Sequence, residues 1–181
     1  MTTMPAAFLD RDGTIIVEHN YLRDPDLVVL ETGAVEGLRY LANAGYLLIV
    51  LTNQSGIARG YFGAEQAEMV NERVRQLLSA EGVELSAIFT CPHAPGDGCD
   101  CRKPRPGLAL AAAAEFNLDL KRSLMIGDKQ SDLQLAEAIG ATAILVTSGY
   151  GRASVEWARE NNVDVIPNLS HIRRVLNPDG D

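Results

Sequence analysis

The chain has 181 residues, of which 46% are hydrophobic and 22% are charged. This length and composition predict one packed domain over residues 1–181 rather than a disordered chain. Lys and Arg number 16 against 24 Asp and Glu, which gives a net charge of −8. That balance argues against a nucleic-acid-binding protein or a polybasic membrane-surface protein. It does not exclude an anionic substrate, because a binding site needs only a few local cations.

The chain carries no apolar run that approaches the roughly 20 residues of a membrane span. Residues 1–10 also lack the charged start and the long apolar core of a signal peptide. We therefore expect a cytoplasmic protein. No exposed apolar stripe is evident in the sequence, and a monomer is the expected state.

Short apolar runs alternate with helical patterns along the chain. Strands are expected at residues 6–9, 46–51, 88–89, 123–126, 143–146 and 163–166, and helices at residues 35–44, 64–80, 108–115, 131–139, 155–160 and 171–175. This alternating order predicts an α/β fold with a mainly parallel, Rossmann-like sheet, helices on both faces and no large cap domain. In such folds the ligand site lies beyond the carboxyl ends of the strands.

Two carboxylates follow the first expected strand, in the segment Asp10-Arg11-Asp12-Gly13-Thr14. Carboxylates two residues apart at a strand end can both face a cleft, one through its side chain and one partly through its backbone. Gly13 allows a sharp turn, and Thr14 can hydrogen-bond within that turn. A bare D-x-D is more often an Asx-type turn, but four apolar residues followed by D-x-D-G-T form a much more specific pattern.

This pattern resembles the haloacid dehalogenase superfamily of phosphohydrolases, whose first motif is D-x-D-G-T after a buried strand. The resemblance implies that Asp10 attacks phosphorus and forms an aspartyl-phosphate. Asp12 would protonate the leaving oxygen and then deprotonate the attacking water. Thr52, after the second strand, would hydrogen-bond the transferring phosphoryl group. Lys103, in the third motif, would neutralise the charge of that group and hold the Asp10 carboxylate.

The fourth motif of the superfamily is matched by the segment that begins Gly127-Asp128-Lys129. The resemblance implies a Mg²⁺ ion bound by Asp10, the backbone carbonyl of Asp12 and Asp128, with Lys129 nearby. Two carboxylates and a phosphate dianion cannot share a cleft without such a cation. Asp132 would lie behind these ligands; alternatively, it is an early-helix aspartate favoured by the helix dipole.

The loop of residues 90–107 is rich in Pro, Gly and Cys and shows no periodicity. It contains C-x-H, five further residues and then C-x-C, so that its candidate ligands are Cys91, His93, Cys99 and Cys101. Three thiolates and one imidazole form a closed, tetrahedral Zn²⁺ site. A zinc ion would order this loop and place Arg102 and Lys103 at the mouth of the active site. The alternative is three free thiols that cluster by chance; His19 and His171 do not fit the ligand pattern.

Superfamily members with these cysteine motifs directly before R-K-P fall into two groups, heptose 1,7-bisphosphate 7-phosphatases and histidinol-phosphate phosphatases. The resemblance to the first group implies the substrate contacts Arg11, Glu18, His19, Asn20, Tyr21, Asn53, Gln54, Ser55, Arg59 and Arg102. Arg59 and Arg102 suit a second phosphate, whereas Glu18 could instead bind the amine of histidinol phosphate. An inert, zinc-stabilised module is less expected, because all four catalytic motifs are present.

Overall fold

A six-stranded parallel sheet with the strand order β3-β2-β1-β4-β5-β6 forms the centre of the protein. The computed structural model describes residues 3–177. The strands are β1 (Ala6–Leu9), β2 (Leu47–Asn53), β3 (Ala87–Cys91), β4 (Leu124–Gly127), β5 (Thr142–Val146) and β6 (Asp164–Ile166). The α-helices are α1 (Ala34–Asn43), α2 (Ala64–Ala80), α3 (Gly107–Phe116), α4 (Gln130–Ile139), α5 (Val155–Glu160) and α6 (Ile172–Leu176). The predicted fold class is confirmed.

The central strands are buried on both of their faces, which explains why helices cover both faces of the sheet. Phe8 in β1 packs in a core with residues of α3 and α4, whereas its neighbour Leu9 packs in a second core with residues of α1, α2 and α6. Successive side chains of a strand point to opposite faces, so a fully buried strand must be apolar throughout. Among the described residues, no helix is long and apolar enough to cross a membrane.

The predicted boundaries are wrong in one functionally relevant place, the ends of β2 and β3. β2 continues past Leu51, because Thr52 and Asn53 pair with Thr90 and Cys91 of β3. The first two residues assigned to the loop of residues 90–107 therefore belong to a strand. Polar residues at a strand end carry no hydrophobic signal, so the apolar run alone could not show this extension.

The strand order sets the position of the ligand site. β1 lies between β2 and β4, and Leu9 is in register with Val50 and Ile126. The connection after β1 leads to β2 on one side of it, whereas β4, on its other side, is reached only later in the chain. Because the connections from these neighbouring strands run in opposite directions along the sheet, a crevice opens beyond the end of β1. The polar residues that follow these three strands are consequently brought together there.

Gly37 offers a test of how α1 packs. A Cβ atom at this helix-interior position would lie 2.2 Å from the carbonyl oxygen of Leu169. Replacing a helical Gly by Ala ordinarily stabilises a protein by up to about 1 kcal/mol. We expect Gly37→Ala to destabilise this protein by about 1–3 kcal/mol instead, because backbone must move to relieve the contact. Urea-induced unfolding measures the difference.

The matched control for this test is Asn43→Ala, at the exposed end of the same helix. Its stability should stay close to that of the unmodified protein. Equal or greater stability of Gly37→Ala would contradict the close approach of α1 to residue 169.

Candidate active site

Three carboxylates converge beyond the ends of β1 and β4. Asp10 follows β1, Asp128 follows β4, and Asp132 lies in the first turn of α4. One oxygen of each lies within 4.8 Å of the other two. All three residues are buried, with Asp128 and Asp132 fully shielded from solvent. Buried carboxylates this close repel one another strongly, so the site must contain compensating positive charge.

Lys103 supplies much of this compensation. Its Nζ lies 2.7 Å from Asp10 Oδ1 and 2.7 Å from Asp132 Oδ1. Burial alone would lower the pKa of Lys103, but the two carboxylates outweigh that effect and raise it. Burial likewise would raise the pKa of Asp10, but Lys103 and Lys129 hold it below its ordinary value. Asp10 is therefore ionised, as a nucleophile must be.

The backbone of Lys103 is fixed by Asn53. The Asn53 Oδ1 atom accepts a hydrogen bond from the Lys103 N–H at 3.1 Å, and its Nδ2 atom donates to the Lys103 carbonyl at 3.2 Å. Asn53 was expected to contact substrate. Its amide lines the cleft, but both of its polar atoms are already paired with the loop that carries the lysine.

The residues around Asp128 fit a hard cation such as Mg²⁺. Asp128 Oδ2 accepts a hydrogen bond from the Tyr150 N–H at 2.8 Å, whereas its buried Oδ1 has no hydrogen-bond partner. Burial, and next the charge of Asp10, raise the pKa of Asp128 to about 8. An orphaned carboxylate oxygen beside a second carboxylate is the donor set that Mg²⁺ prefers. Bound Mg²⁺ would supply the charge that keeps Asp128 ionised.

Lys129 lies on the solvent side of this cluster. Its Nζ is 3.7 Å from Asp128 Oδ1, 3.9 Å from Asp10 Oδ2 and 3.4 Å from Glu18 Oε2. Asp132 differs from the other carboxylates, because its Oδ2 accepts a hydrogen bond from the Lys129 backbone N–H at 3.0 Å. Since its Oδ1 faces Lys103, both oxygens of Asp132 are used within the protein. The structure thus places Asp132 behind the candidate metal ligands.

Asp12 lies at the edge of the cleft with a partly exposed carboxylate. Gln54 Nε2 donates to Asp12 Oδ2 at 2.9 Å and to Thr52 Oγ1 at 2.8 Å. The Gln54 side chain therefore joins the candidate acid–base residue to the candidate phosphoryl-binding residue. Because the Thr52 oxygen accepts this bond, its hydroxyl hydrogen stays available for a phosphoryl oxygen.

An open cleft of about 300 Å³ lies in front of these residues. Eight of the ten expected substrate contacts line it: Glu18, His19, Asn20, Tyr21, Asn53, Gln54, Ser55 and Arg102. Sequence reasoning missed Tyr150, whose ring centroid is 5.2 Å from Lys129 Nζ. Tyr150 follows β5, so the rule that sites lie beyond strand ends could have found it.

Arg11 and Arg59, which were also expected to contact substrate, are not among the residues that line this cleft. The Arg11 side chain is fully buried, and its guanidinium donates to Asp12 and to Asn71 Oδ1. Arg59 is exposed in the turn that follows β2. The sequence could not separate these arginines from Arg102, because a long cationic side chain can reach in several directions from one backbone position.

The four expected zinc ligands form a second cluster at the end of β3. Cys91 Sγ lies 3.7 Å from His93 Nδ1, 3.8 Å from Cys99 Sγ and 3.0 Å from Cys101 Sγ. Tetrahedral Zn²⁺ with bonds of about 2.3 Å separates its ligand atoms by about 3.8 Å. Burial and the neighbouring cysteines raise the pKa of Cys101 to about 12, and burial also raises the pKa of Cys91, so a bound cation is needed to keep these two thiols ionised. The cluster fits a structural Zn²⁺ site.

The zinc cluster is tied directly to the active-site loop. Arg102 NH1 donates to the His93 carbonyl at 3.1 Å, and Arg105 NH1 donates to the Cys99 carbonyl at 2.6 Å. The cluster therefore helps to fix the segment in which Lys103 sits.

Comparison with known proteins agrees with this geometry. The family described as HAD-hydrolase-like matches residues 100–172. The D-glycero-beta-D-manno-heptose-1,7-bisphosphate 7-phosphatase of Yersinia pestis is 39% identical over 176 residues, covering 90% of this chain and 94% of that protein. The enzyme of the same name from Pseudomonas putida is 38% identical, covering 96% of this chain and 99% of that protein.

The same similarity is found among solved structures. The D,D-heptose 1,7-bisphosphate phosphatase of B. bronchiseptica, complexed with magnesium and phosphate, superimposes with a TM-score of 0.88. The two proteins are 31% identical, and the match covers 98% of this chain and all of that one.

Removal of a zinc ligand should cost both metal and stability. We expect the unmodified protein to bind one equivalent of zinc and Cys101→Ser to bind much less, since a serine hydroxyl is a poor zinc ligand. The thermal midpoint should fall by several degrees, because the loop of residues 90–107 has few apolar contacts of its own. Elemental analysis and thermal unfolding measure both effects. The control is His171→Asn, outside the cluster, which should keep its zinc. A full equivalent of zinc in Cys101→Ser would contradict the assignment of Cys101 as a ligand.

Asp128→Asn should stabilise the metal-free protein in a pH-dependent way. The pKa of Asp128 is raised to about 8 in the fold, so the unfolded chain releases this proton at a much lower pH. Stability is therefore lost as pH rises from about 4 to about 8, and the advantage of the neutral Asn should grow over that range. Thermal unfolding in chelator at several pH values tests this.

Added Mg²⁺ provides the second half of the same test. It should raise the thermal midpoint of the unmodified protein and leave that of Asp128→Asn nearly unchanged. Equal Mg²⁺ stabilisation of both proteins would show that Asp128 is not a ligand.

Proposed function

The chain belongs to the haloacid dehalogenase-like family of phosphatases, and we propose that it removes the 7-phosphate of D-glycero-D-manno-heptose 1,7-bisphosphate. The observation that carries this proposal is similarity over nearly the whole chain to relatives that bear this name. The names of these two relatives specify the β anomer, which is therefore the substrate to test first. The cluster of Asp10, Lys103 and Asp128 supplies the nucleophile and the cationic surroundings that such a reaction needs.

In the first half-reaction, the Asp10 carboxylate attacks phosphorus and the bond between phosphorus and the sugar oxygen breaks. Asp12 gives its proton to that oxygen, so the sugar leaves as an alcohol rather than as an alkoxide. Lys103 and the Thr52 hydroxyl stabilise the charge on the transferring group. Bound Mg²⁺ would be held by Asp10, Asp128 and the Asp12 carbonyl, with Lys129 nearby, and would offset the phosphate charge.

In the second half-reaction, water hydrolyses the aspartyl-phosphate on Asp10. Asp12, now ionised, accepts a proton from that water, and the oxygen that remains attacks phosphorus. Phosphate leaves and the Asp10 carboxylate is restored. The same residue thus serves first as acid and then as base, which requires its carboxylate to stay within reach of both the sugar oxygen and the water.

The remainder of the cleft suits a phosphorylated sugar. Arg102 lies at its edge with its guanidinium anchored on the His93 carbonyl, in a position to receive the distal phosphate. Glu18 is already paired with Lys129 at 3.4 Å, so its charge is not free for a substrate amine. This pairing favours the heptose bisphosphate over histidinol phosphate.

Phosphate release in the presence of Mg²⁺ tests the proposal with both substrates. We expect faster turnover of the heptose bisphosphate than of histidinol phosphate. Asp10→Asn should lower turnover roughly 10³-fold or more, since the amide cannot form the covalent intermediate. The control is Asp164→Asn, the same change on an exposed residue of β6. Preference for histidinol phosphate would overturn the substrate but keep the mechanism, and an active Asp10→Asn would overturn the mechanism.

A further inference from the structure

Arg11 is an arginine with no exposed surface at all. Its Nε donates to Asp12 Oδ2 at 3.1 Å, and one terminal nitrogen donates to Asp12 Oδ1 at 3.3 Å. The guanidinium therefore grips both oxygens of the neighbouring carboxylate. A two-pronged contact of this kind fixes the plane of the carboxylate as well as its position.

The other terminal nitrogen of Arg11 is held by Asn71. It donates to Asn71 Oδ1 at 2.7 Å, and Asn71 is itself buried on the inner face of α2. The Asn71 amide nitrogen donates to Glu68 Oε2 at 3.1 Å and to Thr90 Oγ1 at 3.3 Å. This geometry fixes which way the amide points, because only its oxygen is left to face the guanidinium.

From these contacts we propose that Asn71 and Arg11 are positioning residues for Asp12. Both residues are buried, and their side-chain polar atoms face Asp12, each other, Glu68 and Thr90. Asn71 holds Arg11, and Arg11 in turn holds the Asp12 carboxylate between the sugar oxygen and the attacking water. The proposal rests on the acid–base role of Asp12 given above, and it extends the site to a residue of α2.

Gln54 makes a further contact with the same carboxylate. Its Nε2 donates to Asp12 Oδ2, the oxygen that also accepts from Arg11 Nε. Without Arg11, the carboxylate would keep this single contact and could rotate about it. The hydrogen bonds of Asn71 reach Arg11, Glu68 and Thr90. Asn71 therefore acts on the orientation of Asp12 and not directly on Lys103 or Thr52, which would bind the phosphoryl group.

Two variants of Asn71 separate positioning from simple support of the fold. Asn71→Leu has a similar size but removes the oxygen that holds Arg11. Asn71→Asp keeps that oxygen and loses the donors to Glu68 and Thr90. A positioning role predicts that Asn71→Leu loses activity while Asn71→Asp keeps it within about threefold. A purely structural role predicts the opposite order, because the aspartate variant places a second carboxylate beside Glu68.

Turnover of p-nitrophenyl phosphate by the zinc- and magnesium-loaded enzyme gives the readout. Asn71→Leu should lower kcat roughly 10- to 100-fold and leave kcat/KM within about twofold, because only hydrolysis of the intermediate depends on Asp12 with this substrate. The good leaving group needs no acid, so an initial burst of nitrophenolate should persist while hydrolysis of the intermediate slows. Val74→Ala, a buried truncation one turn along α2, serves as the stability-matched control and should keep its kcat.

An unchanged kcat in Asn71→Leu would overturn the proposal. So would losses of kcat in Asn71→Asp and Val74→Ala as large as the loss in Asn71→Leu. The test does not depend on the sugar substrate, so hydrolysis of the nitrophenyl ester without hydrolysis of the heptose bisphosphate would refute the proposed substrate alone. A crystal structure of Asn71→Leu supplies a readout independent of activity. The Asp12 carboxylate should be rotated or disordered there, and an unchanged carboxylate would also refute the positioning role.

Discussion

Compensation of charge beyond the end of β1 is the constraint on which the rest of the site depends. Three buried carboxylates meet there, and among the described side chains the ammonium groups of Lys103 and Lys129 lie against them. Lys103 pairs with both Asp10 and Asp132, but its single positive charge offsets only one of the two carboxylates. Asp128 has an oxygen without a hydrogen bond and a pKa of about 8. An ionised Asp128 is tolerated only with a further cation. The three carboxylates thus form a site that fits a metal ion, and this oxygen is the ligand atom we expect Asp128 to offer.

Two sets of contacts hold Lys103 in the position that this compensation requires. Its side chain comes from a loop rather than from the sheet, and a loop lysine would ordinarily lose several rotatable bonds of freedom on being buried. Asn53, at the end of β2, holds the lysine backbone, and the Cys/His cluster at the end of β3 holds the segment before it. A closed tetrahedral zinc site has no open coordination position for substrate, so we expect this cluster to act on catalysis only through the position of Lys103.

Sequence patterns predicted the strands, the helices and the charged motifs because those features report burial and strand ends. They did not show which polar atoms meet. Asn53 lines the cleft as expected, but its bonds to the backbone of Lys103 could not be predicted. Arg11 was expected to contact substrate, and its side chain is buried against Asp12. Asn71 sits in a regular helical pattern, where a lone polar residue gives no sign of a partner 60 positions away. Amide and guanidinium groups reach several ångströms from their backbone, so their partners depend on tertiary structure.

The buried arginine is informative because a buried ion pair is seldom the most stabilising way to fill a protein interior. Replacing a buried ion pair by apolar residues of similar volume is often neutral or stabilising, since both charges must lose their water. The pair of Arg11 and Asp12, with Asn71 behind it, is therefore hard to explain as a device that holds α2 to the sheet. It is readily explained as a means of fixing the orientation of the Asp12 carboxylate. A residue that acts as acid and then as base must present one carboxylate to two partners in turn, and a planar guanidinium that holds both oxygens limits its rotation.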